Sequence, residues 1–343
     1  MSVAHINPSN RLVAPSNAPF SISYAQPDQI QSLDKEKVIT TIHFSPPDKQ
    51  TAKDPQALNI VLPPLSSSHY SEVWVARDKL VSGQQGDIEF RKNNEILFGK
   101  ICLDESKFDS LEDCSNHAYS SMLNFINQKE FPHLVRIWNF FPEINNAVGS
   151  IERYQSFCIG RYSAYQNVTE FERTLPAATA IGSHGKGLIV YFIATTKAGV
   201  QVENPRQISA YHYPEKYSPK SPSFARATLK HWPAVTHFFI SGTASIVGHE
   251  TLHEENVLIQ LEETLKNIEA LVTTVRDTHQ QPIHDITNLS LMKVYIRYPE
   301  HYEMIQQALS LRMGKDASII YLQGDICREN LLLEIEAFAE FQH

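Results

Sequence analysis

The chain has 343 residues, 42% of them hydrophobic, and its 30 Lys and Arg against 38 Asp and Glu leave a formal charge of -8. Such a length allows a sizeable core in two domains of similar size, and charges this scattered exclude a nucleic-acid surface built on clustered Lys and Arg. No apolar run approaches the roughly 20 residues of a bilayer span, and four widely spaced cysteines, Cys102, Cys114, Cys158 and Cys327, with no CxxC and no basic-then-apolar leader, predict free thiols in a soluble cytoplasmic protein.

Residues 1–30 are rich in Pro, Ser, Asn and Gln, too polar to offset the entropy of ordering, and predict a flexible N-terminal arm. An N-terminal domain over 31–196 and a C-terminal domain over 197–343 are expected to follow. Short β-type runs open the first: VITTIHF from Val38, LNIVL from Leu58, SEVWVA from Ser71 and NEILFGKICL from Asn94. Leu111, Cys114, Ala118, Met122 and Phe125 recur at helical spacing, and Pro132 closes that helix. HLVRIWNFF from His133 is again strand-like. In RYQSFCIGRYSAY, from Arg153 to Tyr165, the side chains of Tyr154, Cys158, Arg161 and Tyr165 share a helical face. Two phenols, a thiol and an arginine suit either an anion site or amphipathic packing beside a surface ion pair. KGLIVYFIATT from Lys186 is a nearly continuous apolar strand, expected to be buried on both faces.

The second half repeats that order. VTHFFISG from Val235 is a strand; Val257, Leu261, Leu265, Ile268, Val272 and Val275 make a long amphipathic helix. LSLMKVYIRY is a strand, Pro299 to Arg312 a second helix and ASIIYL from Ala317 a strand. Strand, helix, strand, helix, strand, strand thus occurs twice, from Ile96 to Thr195 and from Val235 to Ala337, with little identity of letters between the halves. Between them ENPRQISAYHYPEKYSPKSPSFARA carries four prolines among aromatic residues, the composition of a wall or lid over a site, or of a plain linker.

Two short motifs invite chemistry that their surroundings do not support. HETLH, from His249 to His253, matches the zinc-binding HExxH pattern. Gly248 precedes it and apolar periodicity begins only at Val257, so the start of a helix is expected there, with no metal bound. GSHGKG from Gly182 precedes a strand and lacks the Lys-Ser/Thr ending and following helix of a phosphate loop. No GxGxxG follows a strand, so no dinucleotide cofactor is expected.

The stretch YLQGDICRENLLLEIEA, from Tyr321 to Ala337, gathers more. It sets Cys327 beside Arg328 and embeds Glu334 in an apolar run. As a strand it would put Glu334 and Glu336 on one face with Leu332 and Phe338, and Leu331, Leu333, Ile335 and Ala337 on the other. The letters fit a helix as well. A carboxyl on a partly apolar face favours its protonated form and can serve as an acid near neutral pH.

RYQSFCIGRYSAY, NPRQISAYHYPEKYSPKSPSFARA, FISGTASIVGHETLHEENVLIQLEETLKNIEALV and GDICRENLLLEIEA together resemble the chorismatases, from about residue 20 to the end. The resemblance implies an α/β (α+β) chain of two domains similar to the RidA (YjgF) proteins and to some chorismate mutases, each a mixed sheet with helices on one face. It also implies a strand over Leu331–Ala337. By motif, Glu334 resembles the family's catalytic acid, Cys327 the cysteine that marks members making 3-hydroxybenzoate, and Gly242 the small residue that accompanies it. Arg161, Tyr165, Tyr213 and Arg226 lie in segments similar to those that bind substrate.

The implied activity is the release of pyruvate from chorismate to give 3-hydroxybenzoate, with 4-hydroxybenzoate or a dihydrodiol as further products and with neither metal nor cofactor. Chorismate is a dianion, which arginines and tyrosine hydroxyls suit. A RidA-like imine deaminase or small-molecule binding module stays open as the second functional class, and the oligomeric state stays open too.

Overall fold

Two six-stranded mixed sheets, each carrying helices on one face, lie with their other faces toward each other in an α+β fold. The structure, a computed structural model, describes residues 17–47, 56–67, 70–313 and 317–343. The chain opens with a smaller sheet of β1 (Phe20–Ala25), β2 (Val38–Phe44), β3 (Ala57–Ile60) and β4 (Ser71–Ala76), in the order β1-β4-β2-β3, with α1 (Pro27–Gln31) after β1. The residues expected as an arm are therefore ordered from 17 onward. Phe20 stacks on Trp74 at 5.5 Å in the core, an anchor that outweighs the polar composition around it; residues 1–16 lie outside the described residues.

The first large unit runs β5 (Val81–Gln85), β6 (Ile88–Lys92), β7 (Ile96–Leu103), α2 (Leu111–Gln128), β8 (His133–Pro142), the short hairpin β9 (Ala147–Val148) and β10 (Ile151–Glu152), α3 (Arg153–Tyr165), β11 (Ala177–Ser183) and β12 (Leu188–Thr195). Next come β13 (Val200–Val202), β14 (Ala227–His231), β15 (Val235–Thr243), the hairpin β16 (Ile246–Val247) and β17 (Glu250–Thr251), α4 (Val257–Asp277), β18 (Leu291–Ile296), α5 (Tyr302–Arg312), β19 (Ser318–Gln323) and β20 (Leu333–Gln342). The sheets read β11-β8-β12-β7-β6-β5 and β19-β18-β20-β15-β14-β13, the same topology twice. In each sheet the parallel pair is the edge pair, β11 on β8 and β19 on β18. The repeated element order expected from the letters is the order observed.

Alternation builds the layers. Along β12, Tyr191 and Ile193 enter the core between the sheets, while Val190, Phe192 and Ala194 pack under α2 and α3. Along β20, Leu333, Ile335, Ala337, Ala339 and Phe341 pack under the helices of the second unit, and Phe338 faces the middle. The middle face also receives Glu334 and Glu336, as expected of a strand. Leu331 and Leu332 break the expected alternation, Leu331 joining the central core and Leu332 the helical side, because the strand begins only at Leu333.

Side-chain caps start the long helices. Ser110 accepts from the Asp113 N–H at 3.1 Å ahead of α2, and Asn256 from the Ile259 N–H at 3.1 Å ahead of α4. HETLH is thus not a helix start: His249, Glu250 and Thr251 belong to the β16–β17 hairpin, and His253 sits at φ 61° beyond it. A hairpin does not give the two histidines the one-turn spacing of a helical zinc motif.

Candidate active site

A cavity of about 800 Å³ opens between the sheets, with α3 and β11 of the first unit on one side and the ends of β15 and β20 on the other. The proline-rich segment between the units forms a wall through Tyr213, Tyr217 and Phe224. Of the residues singled out in the sequence, Glu334, Cys327, Arg161, Tyr213, Arg226 and Gly242 all line this cavity. Tyr165 does not. It stacks on Phe171 at 5.8 Å and lies 5.9 Å from Tyr119 in the core of the first unit, because the end of α3 runs away from the opening into that core. Helical spacing alone could not show where the cavity stops along the helix.

Glu334 comes from β20, opposite Tyr295 of β18, and is 4% exposed. On its other side β15 has a register shift between Ile240 and Thr243, and Gly242 falls within it. A Cβ on residue 242 would lie inside van der Waals contact with Oε1 of Glu334 and 2.7 Å from its Cδ, so glycine gives the carboxyl its room. Among the described residues the Glu334 carboxyl makes no hydrogen bond or ion pair. Burial, then the charge of Glu336, raise its pKa to about 8 against the opposing charges of Arg136 and Arg226. Near neutral pH it holds a proton.

Three guanidiniums face the same space without a carboxylate within ion-pair distance among the described residues. Arg161, 1% exposed, lies over the rings of Phe157 and Tyr119 at 4.9 and 5.9 Å. Arg226, 4% exposed, donates to the Tyr213 hydroxyl at 2.7 Å and to the Ile208 carbonyl at 2.8 Å. Arg328, which the sequence reading noticed only as the neighbour of Cys327, lies 3.9 Å over the Tyr217 ring and donates to the His249 carbonyl and the Thr251 hydroxyl. Each retains a buried nitrogen with no hydrogen-bond partner among the described residues: Nε of Arg161 and Arg226, and Nη2 of Arg328. Two buried guanidiniums and one half-buried, each with a spare donor and no carboxylate within ion-pair distance among the described residues, form a site for an anion with more than one charge.

The loop carrying Cys327 and Arg328 is pinned from below. Buried Arg297 donates to the carbonyls of Ile326, Arg328 and Leu331 and pairs with Asp325 at 2.8 Å. Cys327 is half-buried at the cavity wall, and burial and the neighbouring Glu334 push its thiol up to about 12. It is a thiol at neutral pH. His249 accompanies Tyr217, with Nδ1 3.1 Å from the hydroxyl, and no group of three or more His, Cys, Asp or Glu among the described residues is arranged to hold a metal.

Behind Glu334 lies a buried charge cluster absent from the sequence reading. Glu336 accepts from Arg136 Nη2 at 2.9 Å, Trp138 Nε1 at 2.9 Å and the Thr179 hydroxyl at 2.6 Å, and pairs with Lys293 at 2.7 Å. Lys293 pairs in turn with Glu72 at 2.8 Å. The available signal was a charged letter inside each of four apolar strands: Glu72 in SEVWVA, Arg136 in HLVRIWNFF, Lys293 in LSLMKVYIRY and Glu336 in LLLEIEA.

Comparison with known proteins gives a consistent picture. The family model described as chorismatase FkbO/Hyg5-like, N-terminal, matches residues 72–194. A 3-hydroxybenzoate synthase of Streptomyces hygroscopicus is 35% identical over 291 residues, 81% of this chain and 83% of that protein. A chorismatase of the same organism is 35% identical over 273 residues, 78% of each. A crystal structure of a chorismatase superposes with a TM-score of 0.85 at 29% identity, covering 94% of this chain and 98% of the other. Among the described residues no helix is long and apolar enough to cross a membrane.

Proposed function

The chain belongs to the chorismatase family and is an enzyme of that family, and from this we propose that it converts chorismate to 3-hydroxybenzoate and pyruvate with Glu334 as proton donor. The observation that carries this reading is a carboxyl kept protonated at the wall of a cavity whose three arginines have no carboxylate within ion-pair distance among the described residues. Arg161, Arg226 and Arg328 suit the two carboxylates of chorismate, and Tyr213 orients Arg226. Glu334 protonates the methylene carbon of the enolpyruvyl ether, leaving an oxocarbenium side chain and the Glu334 carboxylate. The adjacent ring hydroxyl oxygen then bonds to the carbon bearing the ether; the carbon–oxygen bond breaks, pyruvate leaves with the ether oxygen as its ketone, and the hydroxyl proton returns to Glu334. The resulting arene oxide opens with loss and gain of one proton to 3-hydroxybenzoate, with no net water consumed.

Catalysis is assigned to the C-terminal half, 197–343, which supplies Glu334, Cys327, Gly242 and two of the arginines; the half over 31–196 contributes Arg161 and the opposite wall. A small-molecule substrate and a cytoplasmic location complete the proposal, the latter supported by four free thiols. The test is incubation with chorismate, quantifying pyruvate and aromatic product. One 3-hydroxybenzoate per pyruvate is expected, with Glu334→Gln slower by roughly 10²- to 10⁴-fold. Pyruvate release by Glu334→Gln at the parent rate would end its assignment as the acid.

A further inference from the structure

Two carboxyls, Glu334 and Glu336, project from the same face of β20 into the layer between the sheets, and their surroundings are opposite. Glu336 engages two cations, an indole N–H and a hydroxyl, whereas Glu334 has no polar partner among the described residues. Thr179 gives its proton to Glu336 and accepts from Arg136 Nη2 at 2.6 Å and from the Gly242 N–H at 3.0 Å, tying the cluster to the segment that makes room for Glu334. Arg136, Lys293, Glu336 and Glu72 are all at most 4% exposed, and their formal charges cancel without Glu334. Together with Glu334 the set stays neutral only while Glu334 keeps its proton.

Resting on Glu334 as the acid, we propose that Glu336 is a positioning residue: by occupying Arg136 and Lys293 and fixing a negative charge on the same strand face, it keeps Glu334 in the proton-carrying form. The groups facing Glu334 are Glu336 on its own strand, Tyr295 on β18, Arg136 on β8, Arg226 before β14, Tyr154 on α3 and Cys327 in the loop before β20. Tyr295 and Tyr154 are held well above the ordinary phenol value, chiefly by burial, and the Cys327 thiol is raised to about 12. Burial pushes Glu336 up as well, but the charges of Lys293 and Arg136 and the hydrogen bonds from Lys293 and Thr179 outweigh it and hold its carboxyl below the ordinary range. Of the six groups, Glu336 alone is an anion at neutral pH. Pairs of carboxyls pushed apart in this way divide the roles of proton donor and fixed charge.

The experiment follows kcat/KM for chorismate against pH in the parent, Glu334→Gln, Glu336→Gln and the double variant Lys293→Met/Glu336→Gln, which keeps the cluster's charges balanced should the single variant fail to fold. In parallel, the infrared band of the protonated Glu334 carboxyl, identified by its loss in Glu334→Gln, is titrated in each folded protein. In the parent, kcat/KM is expected to fall as pH rises through about 8, where Glu334 ionises. Removing the Glu336 charge should move both that limb and the infrared midpoint to lower pH by about one unit or more, so that activity at pH 8, about half of the low-pH plateau in the parent, falls to about a tenth of it or less. A limb and midpoint unmoved in the Glu336 variants overturn the proposal. Full activity in Glu334→Gln would instead remove the acid, while the infrared midpoint would still decide what Glu336 does to it.

Discussion

The carboxyl of Glu334 occupies the space that any side chain at position 242 would need, its Cδ lying 2.7 Å from where a Cβ on Gly242 would sit. A single methyl there cannot coexist with the carboxyl in place. Gly242→Ala should therefore push Glu334 out of position, costing kcat about 10²-fold and stability about 1–3 kcal/mol from overpacking. Steady-state kinetics with a thermal melt checks both, and a variant with parent kcat would mean that the carboxyl's position does not matter to turnover.

Arg328 carries a second expectation, on binding. Its ring stacking on Tyr217 and its two hydrogen bonds to the β16–β17 hairpin leave Nη2 buried and without a partner among the described residues. If that nitrogen binds a substrate carboxylate, Arg328→Met should raise KM by roughly 10- to 100-fold, the equivalent of one charged hydrogen bond, with a smaller effect on kcat. Inhibition by benzoate-like anions should weaken in parallel, and an unaltered KM would leave Arg328 as part of the wall only.

How much of this the letters carry depends on whether the decisive contact is local. The alternation in LLLEIEA puts Glu334 and Glu336 on one face, and the repeated strand-helix order is visible because each apolar run is long. The strand AATAIGS of β11 is hard to see since small residues carry little pattern, yet it supplies Thr179 to the charge cluster. The polar strand β5 has no buried face to betray it. Tyr165 shares a helical face with Arg161 but not a cavity, because which end of α3 meets the opening is decided by packing against the second unit. The partners of Glu336 come from β8, β11 and β18, and no local spacing brings such distant residues together.

Keeping Glu334 protonated has a cost in stability that pH should expose. Its folded pKa of about 8 stands above the ordinary 4.5, so stability present below pH 4.5 is lost progressively between pH 4.5 and about 8, the range in which the unfolded chain has released a proton that the folded chain retains. Gln at this position has no proton to lose. Glu334→Gln should match the parent near pH 4.5 and exceed it by on the order of 3 kcal/mol at pH 7. Urea melts across that range would decide, and a constant difference between the two proteins would contradict a buried, protonated acid.

Cys327 governs the last expectation, which concerns the product rather than the rate. Once the enol ether is protonated, water and the neighbouring ring hydroxyl compete for the activated side chain. Attack by water gives a hemiketal that collapses to pyruvate and a nonaromatic dihydrodiol; displacement by the hydroxyl leads to 3-hydroxybenzoate. With its thiol pushed up to about 12, Cys327 is neutral, small and a weak hydrogen-bonding partner, half-buried beside Glu334 where a water would otherwise fit. In that place it would exclude water without offering a strong polar anchor for one. Cys327→Ala removes the sulfur and opens that space, so the dihydrodiol should rise at the expense of 3-hydroxybenzoate while pyruvate release continues. Chromatography of the aromatic and dihydrodiol products against total pyruvate gives the partition directly, and an unchanged ratio in Cys327→Ala would leave the thiol as packing alone.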